Sequence, residues 1–222
     1  MLHGKIKGVK KILKNKERFF EIKKRNELKK LPEFNSALFL DRDGVMIRDI
    51  GYISNADDVI LELGLKKLIS RANELNIPIF VVTNQSGISR GFYKWSDFEK
   101  VNNRMLNLIG EPSSIIAIYA NSHKNLSENN WRKPNPEMIL SASKKYNINI
   151  DKSLLIGDRL SDMIAGCKSG IKTLVHVKTG HGKNEYATIK NSCDDDFFYI
   201  DNKKSKIIFI DNLLKFPFEV FD

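Results

Sequence analysis

Two aspartates near the start of the chain have the spacing that most directly suggests chemistry. Asp41 and Asp43 are separated by one residue, follow the apolar run ALFL at 37–40 and precede Gly44. A buried strand that ends in this way delivers carboxylates to the carboxyl edge of a sheet. Two neighbouring acids at such an edge are costly unless a cation or a phosphoryl group uses them. The pair therefore predicts a site for a metal ion or a phosphoryl group.

The elements that must position this pair can be read from the hydrophobic pattern. Apolar runs predict further strands at 77–82, 115–119, 153–156 and 171–177, with a last strand and short helix within 207–218. Helices are predicted at 63–75, from Trp95 to about 109 with Ser96 as N-cap, from Pro136, and around Asp162. From 180 to 205 the pattern dissolves into polar residues. Strands that alternate with helices predict an α/β fold with a parallel sheet and right-handed crossovers.

Charge is concentrated at one end of the chain. The net charge is +10, and residues 1–30 hold 12 of the 37 Lys and Arg residues but only 3 of the 27 Asp and Glu residues. In this segment Ile6, Val9, Leu13 and Phe20 recur at helical spacing, which predicts a basic amphipathic helix that lies on a membrane surface, docks on a partner or packs on its own domain. The alternative is a partly ordered, solvated extension. We expect an extension at 1–34 and one α/β domain at 35–222. Removal of residues 1–30 should leave turnover largely intact while changing membrane binding, partner binding or self-association.

Polar groups also follow the other predicted strands. They are Thr83 and Asn84, Lys133 beyond the third strand, and Asp158. In an open parallel sheet these edges converge on one crevice. Carboxylates, a hydroxyl and an ammonium are what phosphoryl transfer by an aspartate nucleophile needs, together with a divalent cation.

The wording of these motifs resembles a known family. DRDGV, VVTNQ, RKP and GDRLSD match the four motifs of the haloacid dehalogenase (HAD) superfamily of phosphatases, in order and spacing. The longer stretches FLDRDGV, VVTNQSGISRG and RKPNPEM look like the branch of heptose 1,7-bisphosphate phosphatases and histidinol-phosphatases. The resemblance covers residues 37–180 and implies a Rossmann-like parallel sheet flanked by helices. No insertion is long enough for a large cap domain.

The resemblance also implies roles for individual residues. Asp41 is the expected nucleophile and Asp43 the proton donor and then the base, while Thr83 and Lys133 bind the transferring phosphoryl group. Mg²⁺ is expected on Asp41, Asp43 (through its main-chain carbonyl) and Asp158, with Asp162 as a supporting acid or an exposed helix residue. The expected substrate contacts are Arg42, Asp49, Gly51, Tyr52, Asn84, Gln85, Ser86, Arg132 and Arg159.

One part of the family pattern is missing here. Close bacterial relatives hold a structural zinc through a Cys-x-His pair and a Cys-x-Cys pair in the loop after the third strand. This chain has Ser122-His123 and Asn129-Asn130-Trp131 at those places and no cysteine, so no zinc is expected. Either Trp131 and local hydrogen bonds replace the metal, or the loop orders only with ligand.

The expected activity is Mg²⁺-dependent hydrolysis of the C7 phosphate of D-glycero-D-manno-heptose 1,7-bisphosphate, in nucleotide-heptose and surface polysaccharide synthesis. The alternatives are a histidinol-phosphate phosphatase and a non-catalytic HAD-fold protein that works through its basic extension. A DNA 3′-phosphatase is disfavoured, because the basic residues lie away from the strand ends and no nucleic-acid partner is expected. Cys167 and Cys193 fit free thiols, and the N-terminus lacks the apolar centre of a secretory signal, so a cytoplasmic location is expected.

Overall fold

One mixed sheet organises the chain. The computed structural model describes residues 10–14, 16–22, 35–111, 113–127 and 130–221. The strands are β1 (Lys10–Lys14), β2 (Glu17–Glu21), β3 (Leu38–Leu40), β4 (Ile79–Asn84), β5 (Ile115–Asn121), β6 (Leu154–Gly157), β7 (Thr173–Val177), β8 (Cys193–Asp194), β9 (Phe197–Ile200) and β10 (Lys203–Ile210). The helices are α1 (Leu65–Glu74), α2 (Ser86–Ser89), α3 (Trp95–Ile109), α4 (Glu137–Tyr146), α5 (Leu160–Ser169) and α6 (Gly182–Asn191).

The centre of the sheet is parallel and its margins are antiparallel. The strand order is β1-β2-β5-β4-β3-β6-β7-β10-β9-β8. The run from β5 to β10 pairs in parallel, whereas β1, β2, β8 and β9 pair antiparallel. The predicted parallel sheet flanked by helices is therefore confirmed. Strand β3, which precedes Asp41 and Asp43, lies between β4 and β6 in the parallel centre, where strands are covered on both faces.

Alternate residues of the central strands supply two separate cores. Leu38 and Leu40 of β3 pack with the apolar sides of α1 and α3, whereas Phe39 packs with α4, α5 and α6 on the other face. This alternation follows from the two-residue period of a strand. Both faces of β3 are thereby fixed, so the position of the residues that follow it is fixed as well.

Helix α3 has its N-cap two residues before the one expected, although the helix itself begins where it was predicted. The helix begins at Trp95, and the main-chain N of Lys94 donates to Oδ2 of Asp97 at 2.9 Å. Lys94 is therefore the N-cap, not Ser96. The carboxylate of Asp97, the third residue of the helix, thus accepts from the N-cap main-chain N, as the N3 side chain does in a capping box.

The amphipathic helix expected near the N-terminus is wrong for the described residues. Residues 10–14 and 17–21 form an antiparallel hairpin, and β2 extends the sheet by pairing antiparallel with β5. Phe19 and Phe20 are buried on opposite faces of this strand, in different cores. Packing on the sheet therefore overrides a helical spacing in the sequence. Ile6 and Val9 lie outside the described residues, and the boundary at 34/35 and a membrane or protein partner stay predictions.

A second difference lies in the region where no pattern was recognised. Residues 180–205 contain helix α6, the short strand β8 and strand β9, which returns to pair with β10. Only Ile189 of α6 and Phe198 of β9 are buried hydrophobic side chains there, so the hydrophobic signal is sparse. Among the described helices, none is both long and apolar enough to cross a membrane.

Candidate active site

Polar side chains from four neighbouring strand ends meet at one cavity. Asp41 follows β3, Asn84 ends β4, Lys133 lies in the loop after β5, and Asp158 follows β6. The cavity has a volume of about 660 Å³, and its walls include the following residues singled out from the sequence: Asp41, Arg42, Asp43, Asp49, Gly51, Tyr52, Asn84, Gln85, Ser86, Arg132, Lys133 and Arg159. Thr83 and Asp158 lie behind this wall and are almost fully buried.

A buried lysine ties the floor of the cavity together. The Lys133 Nζ lies 2.8 Å from Oδ1 of Asp41 and 2.5 Å from Oδ1 of Asp162, and it donates to the main-chain O of Val82 at 2.8 Å. Burial alone would lower the pKa of Lys133, but the carboxylates of Asp162 and Asp41 outweigh burial and hold this pKa above its usual value. Lys133 is therefore a fixed positive charge at the end of β3.

Three carboxylates share this floor with one ammonium. Oxygen atoms of Asp41, Asp158 and Asp162 lie within 4.8 Å of one another. Burial raises the pKa of Asp41 to about 7, against the effect of Lys133 and with the charges of Asp162 and Asp43 adding to the rise. Burial raises the pKa of Asp158 to about 9, with the charges of Asp41 and Asp162 adding to it. The cluster therefore has an excess of negative charge that a cation would relieve.

The donor set fits a hard divalent cation. Asp158 Oδ2 accepts from the main-chain N of His181 at 2.7 Å, whereas its Oδ1 is buried without a hydrogen-bond partner. Asp162 Oδ2 accepts from the main-chain N of Arg159 at 3.0 Å, and its Oδ1, which has no hydrogen bond, lies in the 2.5 Å ion pair with Lys133. The free oxygen of Asp158, close to Asp41, is the ligand type that Mg²⁺ prefers. Asp162 therefore lies in the cluster as a support for Lys133.

Asp43 is held by a separate set of contacts. The Arg42 Nη2 donates to its Oδ1 at 2.9 Å and to its Oδ2 at 3.0 Å, and Gln85 Nε2 donates to its Oδ2 at 2.7 Å. Gln85 Nε2 also donates to the Thr83 Oγ1 at 2.8 Å, and its Oε1 accepts from the Tyr93 hydroxyl at 2.6 Å. This network fixes the Asp43 carboxyl beside the cavity, where its side chain is 22% exposed.

Two expected substrate contacts have a different set of partners in the structure. The Arg42 side chain is only 1% exposed, and its guanidinium stacks over Phe98 at 4.8 Å and pairs with Asp43. Gln85 is buried, with its amide used by the network around Asp43. Both residues therefore orient Asp43 at the cavity's edge. They also line the cavity, and a direct contact with substrate stays a prediction.

The side chain of Asn84 forms hydrogen bonds with Lys133 and Asn121. Its Nδ2 donates to the main-chain O of Lys133 at 3.0 Å, and its Oδ1 accepts from the main-chain N of Lys133 at 3.0 Å and from Asn121 Nδ2 at 2.9 Å. This double contact seats the loop that carries Lys133 against the end of β4. Asn84 thus holds the backbone of Lys133, and its expected contact with substrate stays a prediction.

The mouth of the cavity is strongly basic. Arg132 and Arg159, both expected from the sequence, line it together with Arg90. Burial lowers the pKa of Arg132, and the positive charges of Arg90 and Arg159 lower it further, so the three guanidinium groups lie within electrostatic reach of one another. Asp49 Oδ2 lies 3.8 Å from Nη2 of Arg159 and 3.1 Å from Nε2 of His181. This rim favours an anionic ligand.

Several wall residues were not found from the sequence. They are Arg90, Tyr93, Ser161, His181 and Glu185. Arg90 lies within the quoted stretch VVTNQSGISRG, so its motif carried a signal. His181 and Glu185 lie in and beside α6, in the region where no periodic pattern was recognised.

The loop in which the sequence departs from the family pattern is held by hydrogen bonds. Asn130 Nδ2 donates to Ser127 Oγ at 2.8 Å and to the main-chain O of Asn125 at 3.1 Å, and its Oδ1 accepts from the main-chain N of Arg132 at 3.0 Å. Trp131 packs on Tyr119 with ring centroids 5.4 Å apart. Local contacts of the expected kind are present, and the absence of zinc stays a prediction.

Comparisons with known proteins agree with this geometry. A family model described as HAD-hydrolase-like matches residues 130–199. The D-glycero-beta-D-manno-heptose-1,7-bisphosphate 7-phosphatase of Helicobacter pylori strain J99 is 35% identical over 167 residues, which are 72% of this chain and 96% of the relative. A Mesorhizobium loti protein described as a HAD-like phosphatase is 29% identical and superposes with a TM-score of 0.71 over 89% of this chain and 88% of its own.

A further solved structure shares the fold. The D,D-heptose 1,7-bisphosphate phosphatase of B. bronchiseptica, complexed with magnesium and phosphate, is 22% identical and superposes with a TM-score of 0.65 over 80% of this chain and 93% of its own. The chain therefore belongs to the haloacid dehalogenase-like hydrolases and is a phosphatase. Within that class it falls in the branch of the heptose-1,7-bisphosphate phosphatases.

Proposed function

We propose that the chain removes the C7 phosphate of D-glycero-D-manno-heptose 1,7-bisphosphate, with Asp41 as the nucleophile and Mg²⁺ as cofactor. The observation that carries this proposal is a buried acid and lysine cluster beneath a cavity whose mouth bears three arginines. The cluster supports phosphoryl transfer, and the arginines support a second phosphate on the same substrate. A cytoplasmic location and a role in nucleotide-heptose synthesis for surface polysaccharide stay predictions.

The first half of the reaction uses the two aspartates in sequence. A carboxylate oxygen of Asp41 attacks the C7 phosphorus, and the bond from phosphorus to the sugar oxygen breaks. Asp43 gives its proton to that leaving oxygen, so the sugar departs as an alcohol and an aspartyl-phosphate remains. Lys133 and the Thr83 hydroxyl stabilise the phosphoryl oxygens. Mg²⁺ bound by Asp41 and Asp158 would neutralise the repulsion between the attacking carboxylate and the phosphoryl group.

The second half regenerates the enzyme. The Asp43 carboxylate takes a proton from a water molecule, and the water oxygen attacks the phosphorus of the aspartyl-phosphate. The bond between phosphorus and the Asp41 oxygen breaks, which releases inorganic phosphate and restores both carboxyl groups. Arg42 and Gln85 hold Asp43 through both steps, because three hydrogen bonds of 2.7–3.0 Å fix its two oxygens.

The charge at the mouth favours a bisphosphate over histidinol phosphate. Arg90, Arg132 and Arg159 line the more exposed part of the cavity, whereas Asp41 is buried at its floor. A sugar bisphosphate places its other phosphate near such a rim, whereas histidinol phosphate places a cationic amine there. Like charges in a partly buried cavity repel each other, so we expect the bisphosphate to be the better substrate.

The test is a phosphatase assay with defined substrates. Purified protein with Mg²⁺ is given both anomers of the heptose bisphosphate and histidinol phosphate, and ³¹P NMR identifies which phosphate is lost. Asp41→Asn should abolish turnover, while Asp211→Asn, at an aspartate whose side chain is 71% exposed, should leave it unchanged. Faster hydrolysis of histidinol phosphate would overturn the substrate assignment, and equal turnover by wild type and Asp41→Asn would overturn the mechanism.

A further inference from the structure

The loop at 122–135 carries the active-site lysine and contacts the N-terminal hairpin. The main-chain N of Ser122 and its Oγ both donate to the main-chain O of Lys16, at 2.8 and 3.1 Å. Lys16 and Glu17 are separated in sequence from this loop by more than a hundred residues. The hairpin therefore holds the beginning of the loop.

Glu17 holds the other end of the loop, next to Lys133. Its Oε1 accepts from the main-chain N of Trp131 at 2.9 Å and lies 3.4 Å from Nε2 of His123. The His123 main-chain O in turn accepts from Nη1 of Arg132 at 3.0 Å. The Glu17 side chain is 17% exposed, so these contacts are partly shielded from water. The Glu17 carboxylate thus joins His123, near the beginning of the loop, to Trp131, the residue immediately before Arg132.

The opposite face of β2 leads to the other catalytic aspartate. Phe20 packs against Phe98 with ring centroids 5.6 Å apart, and the Arg42 guanidinium lies 4.8 Å from the same Phe98 ring. Arg42 holds both oxygens of Asp43. One face of strand β2 therefore contacts the loop that carries Lys133, through Glu17. The other face contacts Phe98, on which the Arg42 guanidinium that holds Asp43 is stacked.

We propose that Glu17 is a positioning residue for phosphoryl transfer, and that strand β2 is the element that sets the loop carrying Arg132 and Lys133. Its carboxylate fixes the Trp131 amide and the His123 ring, and through them the approach of the loop to Asp41. The kinetic part of this inference rests on the phosphatase activity proposed above, whereas its structural part does not.

Glu21 offers a matched control on the same strand. It lies four residues from Glu17, so its side chain leaves the same face of β2. Its Oε1 accepts from the Tyr146 hydroxyl at 3.1 Å and lies 3.7 Å from Lys145, both on helix α4. Loss of Glu21 therefore removes a comparable carboxylate from β2 without touching the loop. If Glu17 only stabilises the fold, the two substitutions should behave alike.

The experiment compares Glu17→Ala, Glu17→Gln and Glu21→Ala in the full chain, at a temperature where every variant is folded. Hydrogen exchange followed by mass spectrometry reports the loop peptides at 122–135, and steady-state kinetics with p-nitrophenyl phosphate and Mg²⁺ report kcat and KM separately. Glu17→Ala should speed exchange around Trp131 and lower kcat/KM, each about tenfold or more, because a hydrogen bond to a charged group is lost. KM should rise in Glu17→Ala as well.

The conservative variant should rescue the effect. In Glu17→Gln the new amide oxygen can still accept from the Trp131 N–H, so this variant should stay within about threefold of wild type. If Glu17→Ala does not fold, Glu17→Asp, which shortens the side chain by one methylene, takes its place with the same expectation for the loop peptides. Glu21→Ala should lower the midpoint of thermal unfolding and leave loop exchange and KM unchanged.

The outcomes separate this inference from the proposed activity. Loop exchange that is unchanged in Glu17→Ala, or changed equally in Glu21→Ala, overturns the positioning role. A wild type that hydrolyses no phosphomonoester overturns the proposed function, and the exchange measurement then decides the role of Glu17 by itself. Faster loop exchange with unchanged kcat and KM would also overturn the positioning role, because the loop would then be held without consequence for catalysis.

Discussion

Replacing Lys133 by methionine tests the charge balance at the floor of the cavity. Methionine keeps an unbranched side chain of similar length but removes the ammonium that lies 2.8 Å from Asp41 and 2.5 Å from Asp162. Removing one partner of a buried ion pair costs about 3–5 kcal/mol, because the remaining charge is left uncompensated. Since whole domains unfold with only about 5–15 kcal/mol, this loss is large.

The matched control is an exposed pair of the same residue types. Lys178 and Asp211 lie 3.1 Å apart, with side chains 34% and 71% exposed. An exposed pair contributes about 0–1 kcal/mol, so Lys178→Met should be close to wild type. Both variants and the wild type are unfolded with urea in the presence of a chelator, at about pH 8 and about pH 5, and the free energy of unfolding is extrapolated to water.

The pH dependence gives the sharper test. Lys133 lowers the pKa of Asp41, so without its ammonium burial holds this pKa in the folded protein further above the value of about 3.9 in the unfolded chain. A group with a raised folded pKa contributes stability at low pH, and that stability is lost as the pH rises through the folded pKa. The penalty of Lys133→Met should therefore be large at about pH 8 and shrink toward about pH 5. A penalty that grows as the pH is lowered, or that equals that of Lys178→Met at the higher pH, would refute the reasoning.

Neighbouring features of the site and the hairpin give three more predictions. Burial raises the pKa of Asp41 to about 7 and that of Asp158 to about 9, so the wild-type protein in chelator should lose stability as the pH rises from about 6 to 10. In thermal unfolding, Mg²⁺ should stabilise the protein increasingly over the same range. A stability that does not change with pH would contradict this prediction. Gly44→Ala places a Cβ 2.5 Å from Asp158 Oδ2 at a φ of +84°, so it should weaken Mg²⁺ binding measured by calorimetry. The control is Gly110→Ala, at a φ of +81° with nothing within 4 Å of the added Cβ, which should cost only about 1–3 kcal/mol of strain and keep normal binding. Phe20→Ala should destabilise the protein by about 3–5 kcal/mol in urea unfolding, whereas an effect below about 0.5 kcal/mol would mean that the hairpin is not part of the core.

The parallel centre of the fold could be predicted because its signals are local. Runs such as those at 37–40 and 77–82 are continuously apolar, as expected for strands covered on both faces, and each ends in a polar residue. The N-terminal hairpin could not be predicted in this way. Its lysines have good helix propensity, and the partner that makes β2 a strand is β5, about a hundred residues further along the chain.

The candidate site shows the same division between local and non-local information. Asp41, Asp43, Lys133 and Asp158 could be selected because strand ends in a parallel sheet share an edge. The direction in which a polar side chain turns at that edge has no such signal. The sequence predicts Gln85 and Asn84 as substrate contacts, but it does not indicate that Gln85 donates to Asp43 or that Asn84 holds the backbone of Lys133.

Strand β1 has a consequence for how the protein can be shortened. Among the described strands it is the outermost on its side of the sheet, and its sequence KKILK contains three lysines. Charged residues, and lysine above all, discourage an outer strand from pairing with a second sheet. A chain cut after Lys14 would leave β2, with its two neighbouring phenylalanines, as the new outer strand. Shortened versions that begin after β1 should therefore tend to aggregate, and a version made for crystallisation should start ahead of Lys10.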